Sequence, residues 1–190
     1  MATTVPGGAV SRAQWERQYR DGAWDYLAGT DEAAHYLAIA ELCRVHLAGA
    51  RLLDVGCGAG ILCGYLRRDA GIAPSCYTGI DIAQPAVELA RASCPGAHIG
   101  RHDYSLGPVA GKFDGVIFNE TLYYFADPAA ILQQAVRCNL HAGGLLIVSM
   151  YGEHHAAIWD AVSASCDMVD QRVVENRQHV RWTVRAVRPR

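Results

Sequence analysis

Two acidic residues and three glycines carry the chemistry that is most legible in this chain. The stretch "LLDVGCGAGIL" (52–62) sets Gly56, Gly58 and Gly60 directly after an apolar run that ends in Asp54. Glycines so closely spaced let a ligand approach the backbone. A phosphate loop of the G-x-x-x-x-G-K-[ST] kind needs a Lys that this stretch lacks. A dinucleotide fingerprint, G-x-G-x-x-G, would place glycine where Ile61 stands. Asp54 would repel phosphates there and suits a ligand with a positive part.

A second acid, Asp81, ends the run "YTGIDI", 21 residues beyond Gly60. A carboxylate at that place accepts both hydroxyls of a ribose, a geometry that NAD satisfies nearly as well. "GRHDY" places Asp103 beside the next pocket, where it can accept from an adenine amine. The ligand implied has ribose, adenine and a positive part, without phosphates.

The elements that must position these residues alternate between strand and helix patterns. Strands are expected at 50–55, 76–82, 97–104, 112–120 and 145–151, with helices at 11–19, 30–47, 59–70, 84–93, 128–140 and 156–166. Thr30 is expected to cap the second helix, whose core face would hold Ala34, Leu37, Ala38, Leu42 and Val45. Residues 168–176 and 180–188 alternate in the strand manner and form a hairpin over the short connection 177–179. The fold class expected is α/β: a Rossmann-like three-layer sandwich, with a seven-stranded, mostly parallel sheet and an antiparallel C-terminal hairpin. It forms one domain, with residues 1–29 as an N-terminal cap segment and 30–190 as the core. In such a sheet, ligands bind outside the carboxyl ends of the strands, where the winding reverses.

Composition narrows the class. The chain has 190 residues, 51% hydrophobic and 19% charged, which reads as globular. A net charge of −2 gives no global field toward nucleic acid or anionic membrane. Sixteen of the seventeen basic residues are Arg, and the C-terminal cluster Arg181, Arg185, Arg188 and Arg190 reads as the solvated side of a last strand. Seven cysteines with no C-x-x-C pair and no visible leader in "MATTVPGGAV" read as a reduced, cytoplasmic protein. No apolar run is long enough to span a membrane.

At these residues the sequence resembles the class I S-adenosylmethionine-dependent methyltransferases. "LLDVGCGAG" resembles their first motif, "YTGIDIA" the second, "GRHDY" the third and "FDGVIFNETLYYF" the fourth. "ETLYYFADPAAILQQAV" is similar to small N-methyltransferases of the nodulation-protein S type. The resemblance implies that the backbone of Gly56, Gly58 and Gly60 admits the methionine portion and the ribose. It implies that Asp54 helps orient the amino-acid end, that Asp81 binds the ribose hydroxyls and that Asp103 binds the adenine amine. Ile82 and Tyr104 would sandwich the adenine, Asn119 would meet the methionine amine, and Tyr19 or Trp24 would close the site.

The chemistry so implied is methyl transfer from a sulfonium to N or O of a small-molecule acceptor, with secondary metabolism as the expected setting. The protein mainly aligns the acceptor and excludes water. A metal is unnecessary, and a base is needed for a hydroxyl or a protonated amine. Candidates lie after the fourth strand (Glu120, Tyr123, Tyr124) and the fifth (Tyr151, Glu153, His154, His155). The rings of "LYYF" either pack under the pocket or cradle a cationic amine. The scarcity of lid sequence after the fifth strand favours a small or partly exposed acceptor. No basic stripe marks a nucleic-acid site. The chain would act as a monomer or homodimer. A nicotinamide oxidoreductase and a non-catalytic S-adenosylmethionine-binding protein are the alternatives.

Overall fold

The structure, a computed structural model, describes residues 10–190. The reading of the first ten residues as free of a leader therefore lies outside the described residues, apart from Val10. In chain order the elements are α1 (Arg12–Arg20), α2 (Ala33–His46), β1 (Leu52–Val55), α3 (Ile61–Asp69), β2 (Tyr77–Asp81), α4 (Gln84–Ser93), β3 (His98–Arg101), β4 (Phe113–Asn119), α5 (Pro128–Gln134), β5 (Leu140–Tyr151), α6 (Ala156–Ser165), β6 (Cys166–Glu175) and β7 (Arg181–Pro189).

One seven-stranded sheet runs in the order β3-β2-β1-β4-β5-β7-β6. The first five strands pair in parallel, and β7 pairs antiparallel with both β5 and β6. The chain winds outward from β1 to β3 and then returns to lay β4 against β1, so the winding reverses between β1 and β4. The parallel strands are apolar in near-continuous runs because helices cover both faces. Successive side chains go to opposite faces: Leu52 and Ile117 join a core beneath α2 and α3, whereas Leu53, Val55, Val116 and Phe118 join a core beneath α5 and α6. Among the described residues no helix is long and apolar enough to cross a membrane.

Several local expectations need correction. Residues Thr30–Glu32 wind into a tighter 3₁₀ turn, so α2 starts at Ala33 and Thr30 makes no side-chain cap. The buried face of α2 holds Tyr36, Ile39, Ala40, Leu42 and Cys43, while Leu37 and Val45 are 44% and 51% exposed. A helix rich in alanine is apolar on more than one face, and tertiary packing chose between them. The helix expected over 128–140 leaves the α form after Gln134 and ends in a wide π turn, Ala135–Asn139. Of the C-terminal arginines, Arg185 lies over the Trp159 ring at 4.1 Å, and Arg190 pairs with Asp167 and donates to carbonyls at the end of α6.

Candidate functional site

The carboxyl end of β1 opens into the glycine turn. The N–H groups of Gly56 and Cys57 both donate to the Ile80 carbonyl, at 2.8 and 2.9 Å, which pins the turn to β2. Gly60 enters α3 at φ +79°, and a Cβ there would meet Cys94 Sγ at 2.8 Å and Ala90 Cα at 3.1 Å. Only glycine combines that dihedral with so close a helix–helix contact. Gly58, at φ +54°, lies under the Tyr19 hydroxyl, 2.7 Å from where its Cβ would be. At each of the three glycines a protein atom stands where a side chain would go, and at Gly58 that atom comes from α1.

The two acids are held differently. Asp81 is 7% exposed, and its carboxylate accepts from the N–H of Gly58 at 3.0 Å and of Ala83 at 2.8 Å. Burial raises its pKa, and the N–H groups of Ala83, Gly58 and Ile82 oppose that rise. Asp54 is 1% exposed, and its Oδ2 accepts from the Tyr77 hydroxyl at 2.5 Å while its Oδ1 is buried without a partner. Burial pushes this carboxyl up to about 7, the Tyr77 hydrogen bond pulls against it, and Asp81 nearby raises it further. Nothing in the sequence points to Tyr77, because the contact joins residues 23 positions apart.

Asn119 ends β4 with a buried Oδ1 that also lacks a partner. Asp103 uses Oδ1 to accept from the Ser105 backbone and hydroxyl, which caps a 3₁₀ turn. Ile82 is half-buried beside Asp81. Tyr104 departs from expectation. It is 3% exposed and lies in the core beneath α5 and α6, edge-on to Phe118, and its hydroxyl donates to Asn139 Oδ1 at 2.8 Å. Its ring is packing, fixed by a buried hydrogen bond, and does not offer a free face to a base.

The N-terminal segment covers this end of the sheet with rings. Trp24 sits 5.5 Å from Trp15 and 6.4 Å from Tyr19, with its indole N–H buried and unpartnered. Trp15 meets Tyr124 edge-on at 4.8 Å. Burial, with the Asp81 carboxylate next, holds the Tyr19 hydroxyl well above its ordinary pKa.

The candidates after β4 and β5 separate into two groups. His155 stacks on Tyr123 at 4.6 Å and 11°, and Tyr151 meets it edge-on at 5.9 Å. Its Nε2 is buried without a partner, and burial, then His154, lowers its pKa. His154 is exposed and lies against its own loop at Gly152. The adjacent imidazoles thus do not converge, and among the described residues no three His, Cys, Asp or Glu side chains are grouped to hold a metal ion. Glu120 takes φ +57°, uncommon for a residue with a side chain. Its carboxylate accepts from Ser149 Oγ at 2.7 Å, the Tyr123 hydroxyl at 3.0 Å and the Tyr151 N–H at 3.0 Å. Burial still pushes it up to about 7, against those three donors. Tyr124 packs beside Tyr123 at 4.6 Å, and burial pushes its hydroxyl up to about 12. Thr121 escaped the sequence reading; its hydroxyl donates to the Val55 carbonyl at 2.9 Å and its methyl blocks any side chain at Gly56.

Comparison with known proteins gives the family and the fold. A methyltransferase-domain family model matches residues 28–186. The ubiquinone biosynthesis O-methyltransferase of Xanthomonas oryzae pv. oryzae is 36% identical over 126 residues, covering 63% of this chain and 50% of that protein. That of Xylella fastidiosa is 35% identical over 127 residues, covering 63% and 49%. The chain spans about half the length of the curated relatives it matches. Among solved structures, the N-methyltransferase NodS from Bradyrhizobium japonicum, in complex with S-adenosylhomocysteine, superposes with a TM-score of 0.74 at 18% identity, covering 94% of this chain and 98% of that one. The 1,6-didemethyltoxoflavin-N1-methyltransferase of Burkholderia thailandensis gives 0.67 at 18% identity, covering 97% and 93%. These structures share the Rossmann-like fold, and with the family model spanning residues 28–186, this chain belongs to the methyltransferase-domain family.

Proposed function

We propose that this domain transfers a methyl group from S-adenosylmethionine to N or O of a small-molecule acceptor. The observation that carries the reading is the pair of acids at the winding reversal: Asp81 tied to the Gly58 N–H, and Asp54 buried with one oxygen unpartnered. The residues present fit such a ligand. Asp54 Oδ1 and Asn119 Oδ1 are orphaned acceptors, and acceptors suit an ammonium group. The Tyr19 hydroxyl covers Gly58, so the ring lies over the turn where a bound ligand would be shielded from water.

When bound, the cofactor supplies an electrophilic methyl group on a sulfonium. Asp81 accepts the ribose hydroxyls, using an orientation its two backbone donors already fix. Asp103 offers its second oxygen to the adenine amine, and Ile82 packs against the base. Asp54 and Asn119 orient the amino-acid end. Tyr19 and Trp24 exclude water from the glycine turn, which strengthens each of these contacts. Tyr124, Tyr123 and His155 line the acceptor side, and His155 Nε2, lacking a partner, is the atom placed to hold a proton. Alignment of this kind contributes up to about 7–11 kcal/mol to such a displacement. Residues 10–29 of the cap segment and the core 30–190 act as one unit in this reading, in a cytoplasmic chain; residues 1–9 of that segment lie outside the described residues.

Calorimetric titration of the chain with S-adenosylmethionine, S-adenosylhomocysteine and NAD tests the proposal. The two sulfur ligands should bind and NAD should not. Tighter binding of NAD would overturn the assignment.

A further inference from the structure

The glycine turn is held from behind by the end of α4. Ser93 Oγ donates to the Ala59 carbonyl at 2.7 Å, and the Cys94 thiol donates to the Gly60 carbonyl at 3.1 Å. The Cys63 N–H donates to that same Gly60 oxygen, also at 3.1 Å. One carbonyl thus brings the Cys94 sulfur against the first turn of α3. Side chains on a helix lean toward its N-terminus, which carries the Cys63 thiol toward Gly60. The side chains of Cys63 and Cys94 hydrogen-bond to each other there. Both are free thiols, and both belong to the core beneath α2 and α3.

The surroundings divide the two sulfurs into roles. Cys94 is 4% exposed, but its chain neighbours Ser93, Pro95 and Gly96 are exposed, so its sulfur lies just beneath the surface. The hydrogen bond with Cys63 lowers the Cys94 pKa most; burial opposes this, and Ser93 and Arg67 add to the lowering. The same hydrogen bond, and burial next, raise Cys63. A thiol held low attacks an oxidant, and a neighbouring thiol resolves the product. The third thiol of the turn, Cys57, faces β2 instead: it packs at Gly79 and donates to the Gly58 carbonyl at 3.7 Å.

We propose that Cys63 and Cys94 form a redox-modification site, which a peroxide converts to a disulfide that weakens cofactor binding at the glycine turn. The effect on the cofactor rests on the methyl-transfer reading; the disulfide does not. The Cys94 thiolate attacks a peroxide oxygen. The S–O bond forms as the O–O bond breaks, and the departing hydroxide takes up a proton to become water. Cys63 then gives up its proton and attacks the Cys94 sulfur, so that the S–S bond forms as the S–O bond breaks and a second water leaves. Two thiols are oxidised and one peroxide is reduced. Exchange with a dithiol reverses the change. The disulfide has no S–H, so Gly60 loses its donor from Cys94. Its sulfurs close to about 2.0 Å, which draws the end of α4, with Ser93 on Ala59, against α3. Both anchors of the turn move, and Gly58, whose N–H orients Asp81, is the next residue along.

The test treats the full chain with hydrogen peroxide, blocks the remaining free thiols and maps its peptides by mass spectrometry. Cys63 should be found linked to Cys94. Calorimetry should show S-adenosylhomocysteine binding fivefold or more weaker to the oxidised chain, with dithiothreitol restoring the affinity. Cys63→Ser should form no such link, and Cys94→Ser should keep its affinity through peroxide treatment, since a serine hydroxyl still donates to Gly60. Free Cys63 and Cys94 thiols after peroxide, a link to another cysteine in their place, or a Cys63–Cys94 link with unchanged affinity overturns the inference and leaves the methyl-transfer reading in place. Failure of the reduced wild-type chain to bind S-adenosylhomocysteine overturns that reading together with the effect on the cofactor, while peptide mapping alone decides the disulfide.

Discussion

Replacing Asp54 with Asn should make the ligand-free chain more stable at pH 8 than at pH 5, relative to wild type, and should weaken cofactor binding at both. Asp54 is 1% exposed, and burial raises its carboxyl from the ordinary 3.8 to about 7. A folded state whose acid has the higher pKa binds more protons than the unfolded chain between those two values. Wild-type stability therefore falls as pH rises from about 4 to about 7, by up to 1.36 kcal/mol per pH unit, and is level above. Ionising Asp54 in place thus costs about 4 kcal/mol at pH 8. Asn keeps an acceptor for the Tyr77 hydroxyl but buries an amide N–H₂ with no partner in view, which takes back about 1–3 kcal/mol. The net gain at pH 8 should be about 1–3 kcal/mol, and the difference between the two variants should shrink by about 2–3 kcal/mol on going to pH 5. Urea unfolding at both pH values measures it. A stability difference that is the same at the two pH values, or larger at pH 5, would refute the argument that Asp54 is held ionised against its burial.

Other outcomes follow from the same contacts. Asp81→Ala should weaken S-adenosylhomocysteine by about 1.5–3 kcal/mol for each charged hydrogen bond lost, read by calorimetry; unchanged affinity would remove the ribose role. Gly58→Ala should lower stability by about 1 kcal/mol for the left-handed backbone and push the Tyr19 hydroxyl aside, so both the denaturation midpoint and the cofactor affinity should fall. Once an acceptor is in hand, His155→Ala should slow turnover while His154→Ala leaves it near wild type, because His155 stacks on Tyr123 and His154 is exposed on its own loop. If neither substitution slows turnover, neither imidazole acts at the reacting atoms and proximity alone is the better account.

The order of strands and helices was legible because apolar runs, glycine stops and the alternating tail each report local structure. The glycine turn and Asp81 were legible for the same reason: both depend on spacing within one strand–turn–helix unit. Contacts between distant segments were not. The Tyr77–Asp54 hydrogen bond, the seat of Thr121 on Val55 and the His35–Trp182 stack join residues that no periodicity relates. Tyr104 was misread because a tyrosine after a strand-end acid looks the same whether it faces a ligand or the core; here Asn139, on the π turn after α5, takes its hydroxyl inward.

A crystal structure of the chain with S-adenosylhomocysteine most directly tests the central claim. The account predicts ribose hydroxyls on Asp81, the amino group near Asp54 and Asn119, and Tyr19 and Trp24 over the ligand. Density for the nucleoside outside the crevice between β1 and β4, with Asp81 still bonded only to its own loop, would contradict it.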